Sequence, residues 1–275
     1  MTVPLKILSL GAGVQSSTVL LMSCRGVLPK LDAAIFADTR WEPKAVYEWL
    51  TVLQREAQAA GIPIYRVSAG NLRDDALRSR IRKDEYDALP DGRWASMPLY
   101  TNGGGGQIKR QCTSEYKIEP IRKQIAHLVR EAGLTKTPGV VEQWFGISGD
   151  EQRRMRLSRV RYITHYYPLV FGFDRPMQRH HCVTWLTEQG FPSVPRSACL
   201  GCPYHSDEEW ARIKTDPVAW ADVVQADEAI RKIGGQRDET FLHRSCKPLA
   251  QIDFRSMEEL GQQNWLNECT GMCGV

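Results

Sequence analysis

Thiols are the residues most able to do chemistry in this 275-residue sequence, which holds eight: Cys24, Cys112, Cys182, Cys199, Cys202, Cys246, Cys269 and Cys273. Two pairs stand close together, Cys199-Leu200-Gly201-Cys202 and Cys269-Thr270-Gly271-Met272-Cys273. Short spacings in a chain of this length point to metal or redox groups before disulfides. A Cys-x-x-Cys turn presents two thiolates to one centre, and Cys112 precedes a predicted helix whose N-terminus favours thiolate. Pro203 follows Cys202 as Pro commonly follows the last ligand of an iron–sulfur loop. Cys112, Cys199 and Cys202 thus make a candidate ligand set for a [4Fe–4S] cluster with one differentiated iron, open to substrate or sulfide or closed by Cys269 or Cys273. A structural zinc with His205 as fourth ligand is the alternative, and free or redox thiols are a third.

A second group is suited to phosphates. Ser9-Leu10-Gly11-Ala12-Gly13-Val14-Gln15-Ser16-Ser17 joins an apolar run to a helical pattern, so small residues let backbone amides converge at a helix start. The loop lacks the Gly-Lys-Ser/Thr of a Walker A loop and does not fit the dinucleotide glycine fingerprint. Lys109, Arg110 and Lys117 flank Cys112 and are candidates for holding phosphates or a sulfonate. Glu151 and Arg154, in a loop after a predicted strand, are further substrate candidates. His180, His181 and Cys182 read as packing, as do Trp185, Trp210 and Trp220; Cys24 and Cys246 read as core or incidental thiols.

These groups need a frame. Apolar runs at Leu5–Leu10, Ala33–Ala37, Ile62–Val67 and Val140–Ile147 alternate with helical patterns from Ser16, Pro43 and Ser114, which predicts an α/β fold: a Rossmann-like parallel sheet flanked by helices. Ligands of such sheets bind at the carboxyl ends of the strands, where both Gly11–Gly13 and Asp38-Thr39 fall. Asp87 to Lys109, with Gly103 to Gly106, reads as a mobile lid. Further on come a strand near Ile163–Tyr167 and helices near Pro176–Gly190, Asp207–Thr215 and Val218–Ile233. The expected division is a nucleotide-binding core over 1–170 and a helical, cysteine-bearing region over 171–275.

The glycine loop, with Phe36-Ala37-Asp38-Thr39, resembles the PP-loop enzymes of the adenine-nucleotide α-hydrolase type. It is most similar to their branch of phosphoadenylylsulfate (PAPS) and adenylylsulfate (APS) reductases, where Gln or Glu stands at the position of Gln15. Arg40 departs from the glycine that many members carry after Asp-Thr. Gln111-Cys112-Thr113 through Lys117-Ile118-Glu119-Pro120 is similar to the segment of cluster-bearing APS reductases that begins with tandem cysteines. Thr113 stands in place of the second. Cys199 and Cys202 match their later Cys-x-x-Cys pair, and Glu268-Cys269 with Cys273-Gly274 is similar to their Glu-Cys-Gly tail, stretched here and carrying two thiols. The resemblance implies an adenine nucleotide such as ATP, with or without Mg2+, held by Ser9, Gly11, Gly13, Gln15, Ser16, Ser17, Asp38 and Thr39, and a nucleophile at Cys269 or Cys273.

Three activities follow. The first is ATP-dependent sulfur transfer of the ATP-pyrophosphatase type: ATP activates an acceptor, pyrophosphate leaves, and sulfur from a donor such as a cysteine desulfurase displaces AMP. RNA thiolation and DNA phosphorothioation by relatives make a nucleic-acid acceptor concrete. The second is sulfonucleotide reduction, in which a tail cysteine attacks PAPS or APS and a thioredoxin-like reductant resolves the product. The third is a non-catalytic nucleotide-binding module stapled by metal. The single Cys112, the stretched tail and the arginines at 153, 154, 156, 159 and 161 favour transfer; Gln15 and the tail thiols favour reduction. A net charge of +4 favours anionic ligands. Apolar residues at 42% and charged at 25% exclude a disordered chain. No apolar run approaches the ~20 residues of a membrane span, and residues 1–6 have no signal-peptide pattern, so the expectation is a cytoplasmic protein.

Overall fold

A computed structural model describes residues 4–78, 97–103, 106–232 and 237–254. Its centre is a five-stranded parallel sheet in the order β3-β2-β1-β5-β6, formed by β1 (Leu5–Leu10), β2 (Ala33–Ala37), β3 (Ile64–Val67), β5 (Val141–Phe145) and β6 (Ile163–Tyr166). The predicted α/β architecture is therefore the observed one. Every residue of β2 is buried, as a parallel strand covered on both faces must be. Successive residues enter opposite layers. Leu8 and Leu10 pack under α1 (Val14–Cys24) and α2 (Lys44–Ala59), while Ile7 packs with Ile121, Ile125 and Val129 of α4 (Glu119–Glu131) on the other face.

Strand order places the site. From β1 the chain moves outward to β2 and β3, then returns to β5 on the other side of β1. The order reverses between β1 and β5, and a crevice opens at the carboxyl ends of strands at such a point. The glycine loop follows β1 there.

Some elements differ from the sequence pattern. The predicted helix from Ser114 opens as a π turn, Ser114–Ile118, before α4. Pro120 has no N–H to continue the four-residue ladder, so the turn before it widens. A short helix α3 (Leu72–Arg78) was not foreseen, nor was the antiparallel ribbon pairing β4 (Tyr100–Thr101) with β7 (Thr240–Phe241). Of the expected lid over 87–109, Tyr100 and Thr101 lie in that ribbon, and 87–96 and 104–105 lie outside the described residues. After the one-turn α5 (Pro168–Phe171), α6 (Arg179–Glu188) covers α1.

A second core spans both parts of the chain, with Trp41, Leu72 and Tyr116 packing against Cys199, Trp210 of α7 (Asp207–Lys214) and Val223 of α8 (Pro217–Ala229). Ser206 and Glu209 form a capping box on α7, and Asp216 accepts the Val218 and Ala219 amides at 3.0 and 3.1 Å to open α8. Among the described residues no helix is long and apolar enough to cross a membrane.

Candidate functional site

Gly11, Ala12 and Gly13 turn the chain from β1 into α1. Ala12 takes a left-handed conformation (φ +58°), and Gly13 caps the helix without any side-chain bond. Ser16 braces the turn from inside: its Oγ accepts the Gly11 amide at 3.2 Å and donates to the Gly13 carbonyl at 3.3 Å. No acid stands in the first turn of α1, so its positive end faces the crevice uncompensated. The close seating of this turn depends on Gly146 after β5, where an added methyl group would lie 2.5 Å from the Ser16 nitrogen. Ser197 comes over the loop from the opposite side; methyl groups on Gly11 and Gly13 would meet it at 3.3 and 3.2 Å. The cavity enclosed by Ser9, Gly11, Ala37, Lys117 and Ser197 has about 20 Å³, the room of one water. A phosphate needs more room than this cavity has.

The predicted cradle residues divide in use. Ser9 lines this cavity and accepts the Gln143 amide at 2.8 Å. Ser17 is fully buried and accepts the Trp49 indole N–H at 2.8 Å. Asp38 is engaged by Arg66 (2.6 and 2.9 Å), the Tyr47 hydroxyl (2.9 Å) and the Arg40 amide (2.8 Å). Its carboxylate orders the end of β2. Gln15 lies across the turn, donating to Glu151 at 2.8 Å and accepting from Arg179 at 2.8 Å, while Glu151 pairs with Arg154 at 2.6 Å. Gln15, Glu151 and Arg154 therefore belong to one network, extended by Arg179, which ties the loop after β5 to the start of α1.

Thr39 leads to the thiols. Cys112, Cys199 and Cys202 line one cavity of about 30 Å³ together with Thr39, Arg110 and Lys117. Thr39 Oγ1 lies 3.4 Å from Cys199 Sγ and donates to Glu42 Oε1 at 3.0 Å; the Cys199 thiol reaches the same oxygen at 3.5 Å. Lys117 Nζ is 3.3 Å from it as well. The Cys199–Cys202 turn is fastened to the β2–α2 connection by the Leu200 amide on the Trp41 carbonyl, at 2.7 Å. Gly201 has to be glycine, since a methyl group there would enter the Trp41 ring. Arg110 stacks over Tyr204 at 5.5 Å, and Lys109 is exposed and lines neither cavity.

Two features bear on a metal. Among the described residues, no three His, Cys, Asp or Glu side chains gather about a single ion position. His205, the alternative zinc ligand, points its Nε2 at the Cys199 and Leu200 carbonyls (3.0 and 3.1 Å) and its Nδ1 at Glu209. It braces the turn from behind. Three cysteine side chains from two segments around one cavity are of the ligand type that an iron–sulfur cluster takes, but a cavity of about 30 Å³ has to open to hold one. Cys269 and Cys273 lie outside the described residues. Cys182 is fully buried in the core; His180 and His181, expected to pack, are exposed.

Glu42 and Ser197 are functional candidates that the sequence reading passed over. Glu42 had a readable signal, an acid between a β-strand end and the proline that opens the next helix. Ser197 had none, because its approach to Gly11 and Gly13 is purely tertiary.

The fold and site together define an α/β protein with a glycine-built turn at a helix N-terminus and a thiol-lined cavity at the switch point of a parallel sheet. No family model matches the sequence, and no curated protein matches it. Among solved structures it is similar to a phosphoadenylyl-sulfate (PAPS) reductase from Candida auris in its phosphate complex, with TM-score 0.39 and 14% identity over 71% of this chain and 76% of that one. That likeness assigns no residue role.

Proposed function

We propose that the chain is an adenine-nucleotide-dependent sulfur-transfer enzyme. One observation carries this reading: Lys117 lines both the glycine-loop cavity and the cavity of Cys112, Cys199 and Cys202, so the anion cradle and the thiols share a wall. The α1 N-terminus and the loop amides bind the phosphates of ATP, and Lys117 offsets charge on the side nearest the thiols. Mg2+ accompanies the phosphates where the reaction needs it. An acceptor oxygen attacks the α-phosphorus, the bond to the bridging oxygen breaks, and pyrophosphate leaves. Hydrosulfide from a donor then bonds to the activated atom as AMP departs with its electron pair. Cys112, Cys199 and Cys202 would hold a [4Fe–4S] cluster, which when bound supplies a thiophilic iron beside the nucleotide.

The test combines three readouts. ATP should raise the melting temperature and yield pyrophosphate in the presence of acceptor. Anaerobically purified protein should contain iron and acid-labile sulfide, and both should fall on Cys199→Ala. Sulfite released from PAPS with a thioredoxin-like reductant would replace this reading by sulfonucleotide reduction, and a colourless protein holding one zinc would overturn the cluster.

A further inference from the structure

The stretch from Arg153, in the 3-10 turn Gly149–Arg154, to Arg161, just before β6, exposes Arg153, Arg156, Arg159 and Arg161 within nine positions. Among the described residues, Arg153, Arg159 and Arg161 have no ion-pair partner. The two acids that precede them are already engaged, Asp150 by the Arg179 amide at 3.0 Å and Glu151 by Arg154 and Gln15. The segment is also held in shape. The Arg156 amide donates to the Tyr167 hydroxyl at 2.7 Å, that hydroxyl donates to the Arg156 carbonyl at 2.6 Å, and His165 Nδ1 meets the same carbonyl at 2.9 Å. Leu157 stands at its apex with 93% of its surface exposed, an apolar tip among arginines. Arg122 of α4 adds positive potential at His165.

We infer that this arginine loop docks a nucleic acid, its guanidiniums on successive phosphates and Leu157 against a base. The inference rests on the proposed sulfur-transfer reading and names the class of its acceptor. One end of the loop lies by the crevice, since Arg153 is two residues from Glu151, which touches Gln15 at the first turn of α1, while Arg159 and Arg161 lie at the amino end of β6, where Ile163 pairs with Val141. A preformed loop with one apolar tip offers phosphates a set of forks and a base a surface to pack on.

Equilibrium binding tests this without ATP, donor or cluster, so its failure is separable from failure of the catalytic reading, which pyrophosphate release reports. Fluorescence anisotropy would follow short labelled single-stranded DNA, duplex DNA and RNA on the full chain between about 50 and about 200 mM salt. The variant Arg153→Gln/Arg159→Gln/Arg161→Gln should bind roughly tenfold more weakly at low salt and lower the salt slope by about three. Its melting temperature should be unchanged, and Lys at the three positions should restore binding. The DNA and RNA arms identify the source of the phosphates. No binding by the native chain, equal binding by the Gln variant, or binding to phosphatidylserine vesicles in preference to every oligonucleotide would overturn the inference.

Discussion

Lys117 and Glu42 form a buried ion pair at the wall between the two cavities, with Nζ 3.3 Å from Oε1 and side-chain exposures of 11% and 1%. The second Glu42 oxygen is buried and finds no hydrogen-bond donor among the described residues. Removing one partner leaves a charge in low dielectric, which costs more than the pair itself contributes. Glu42→Gln and Lys117→Met should each lose about 3 kcal/mol in urea unfolding, and the double variant clearly less than the sum. Additive losses would show that the two charges do not interact.

The turn that carries the anion cradle makes a contrasting demand on glycine. At Gly146 the obstacle to a methyl group is backbone, the Ser16 nitrogen at 2.5 Å and the Gln15 carbonyl carbon at 2.7 Å. At Gly13 it is the Ser197 side chain at 3.2 Å. Gly146→Ala should therefore cost at least about 2 kcal/mol by thermal unfolding and resist rescue. Gly13→Ala should cost less, and Ser197→Gly should recover most of the loss. Equal rescue of both would mean that β5 and α1 are not packed backbone to backbone.

Much of this frame was legible because parallel strands announce themselves. The apolar runs at Leu5–Leu10 and Ala33–Ala37 became β1 and β2 with unchanged bounds, since strands buried on both faces admit little else. The glycine loop was legible for the same reason, lying between a clear strand and a clear helix. The meeting of Cys112 with Cys199 and Cys202 was readable as chemistry but not as geometry, because the cavity they share depends on Trp41 holding the Cys199–Cys202 turn. Asp38 shows the converse. Its position at a strand end was right, yet Arg66 and Tyr47, which occupy its carboxylate, are distant enough in sequence to leave no pattern.

Acid should destabilise the protein in two stages. Burial holds His165 and His243 below the usual histidine range, although Asp207 opposes it at His243. The unfolded chain then binds more protons near pH 6, so stability falls as pH drops through about 6.5. Burial alone would raise Glu209, but His205, Arg196 and the Ser206 amide outweigh it and hold its carboxyl low. That stability is present above the ordinary carboxylate pKa of about 4.3 and is lost on further acidification. Urea denaturation across this range should show both stages, with His243→Asn flattening the first and Glu209→Gln the second. A stability independent of pH between about 7 and about 5 would contradict the burial of both histidines.

The cysteines should separate into two chemical classes. Burial pushes the Cys182 thiol up to about 12 and the Cys24 thiol to about 11, so at neutral pH neither forms appreciable thiolate. Cys112 and Cys202 are only partly buried and line a cavity shared with Arg110 and Lys117. Iodoacetamide applied to metal-depleted protein, followed by peptide mass mapping, should modify Cys112 and Cys202 first and spare Cys24 and Cys182 until denaturant is added. Ser197 also joins this cavity to the cradle, being two residues from Cys199 and in contact with Gly11 and Gly13. ATP that displaces the Ser197 segment should therefore change the alkylation rate at Cys202 and leave Cys182 untouched. An unchanged rate at saturating ATP would mean that the cradle and the thiols are neighbours without being coupled.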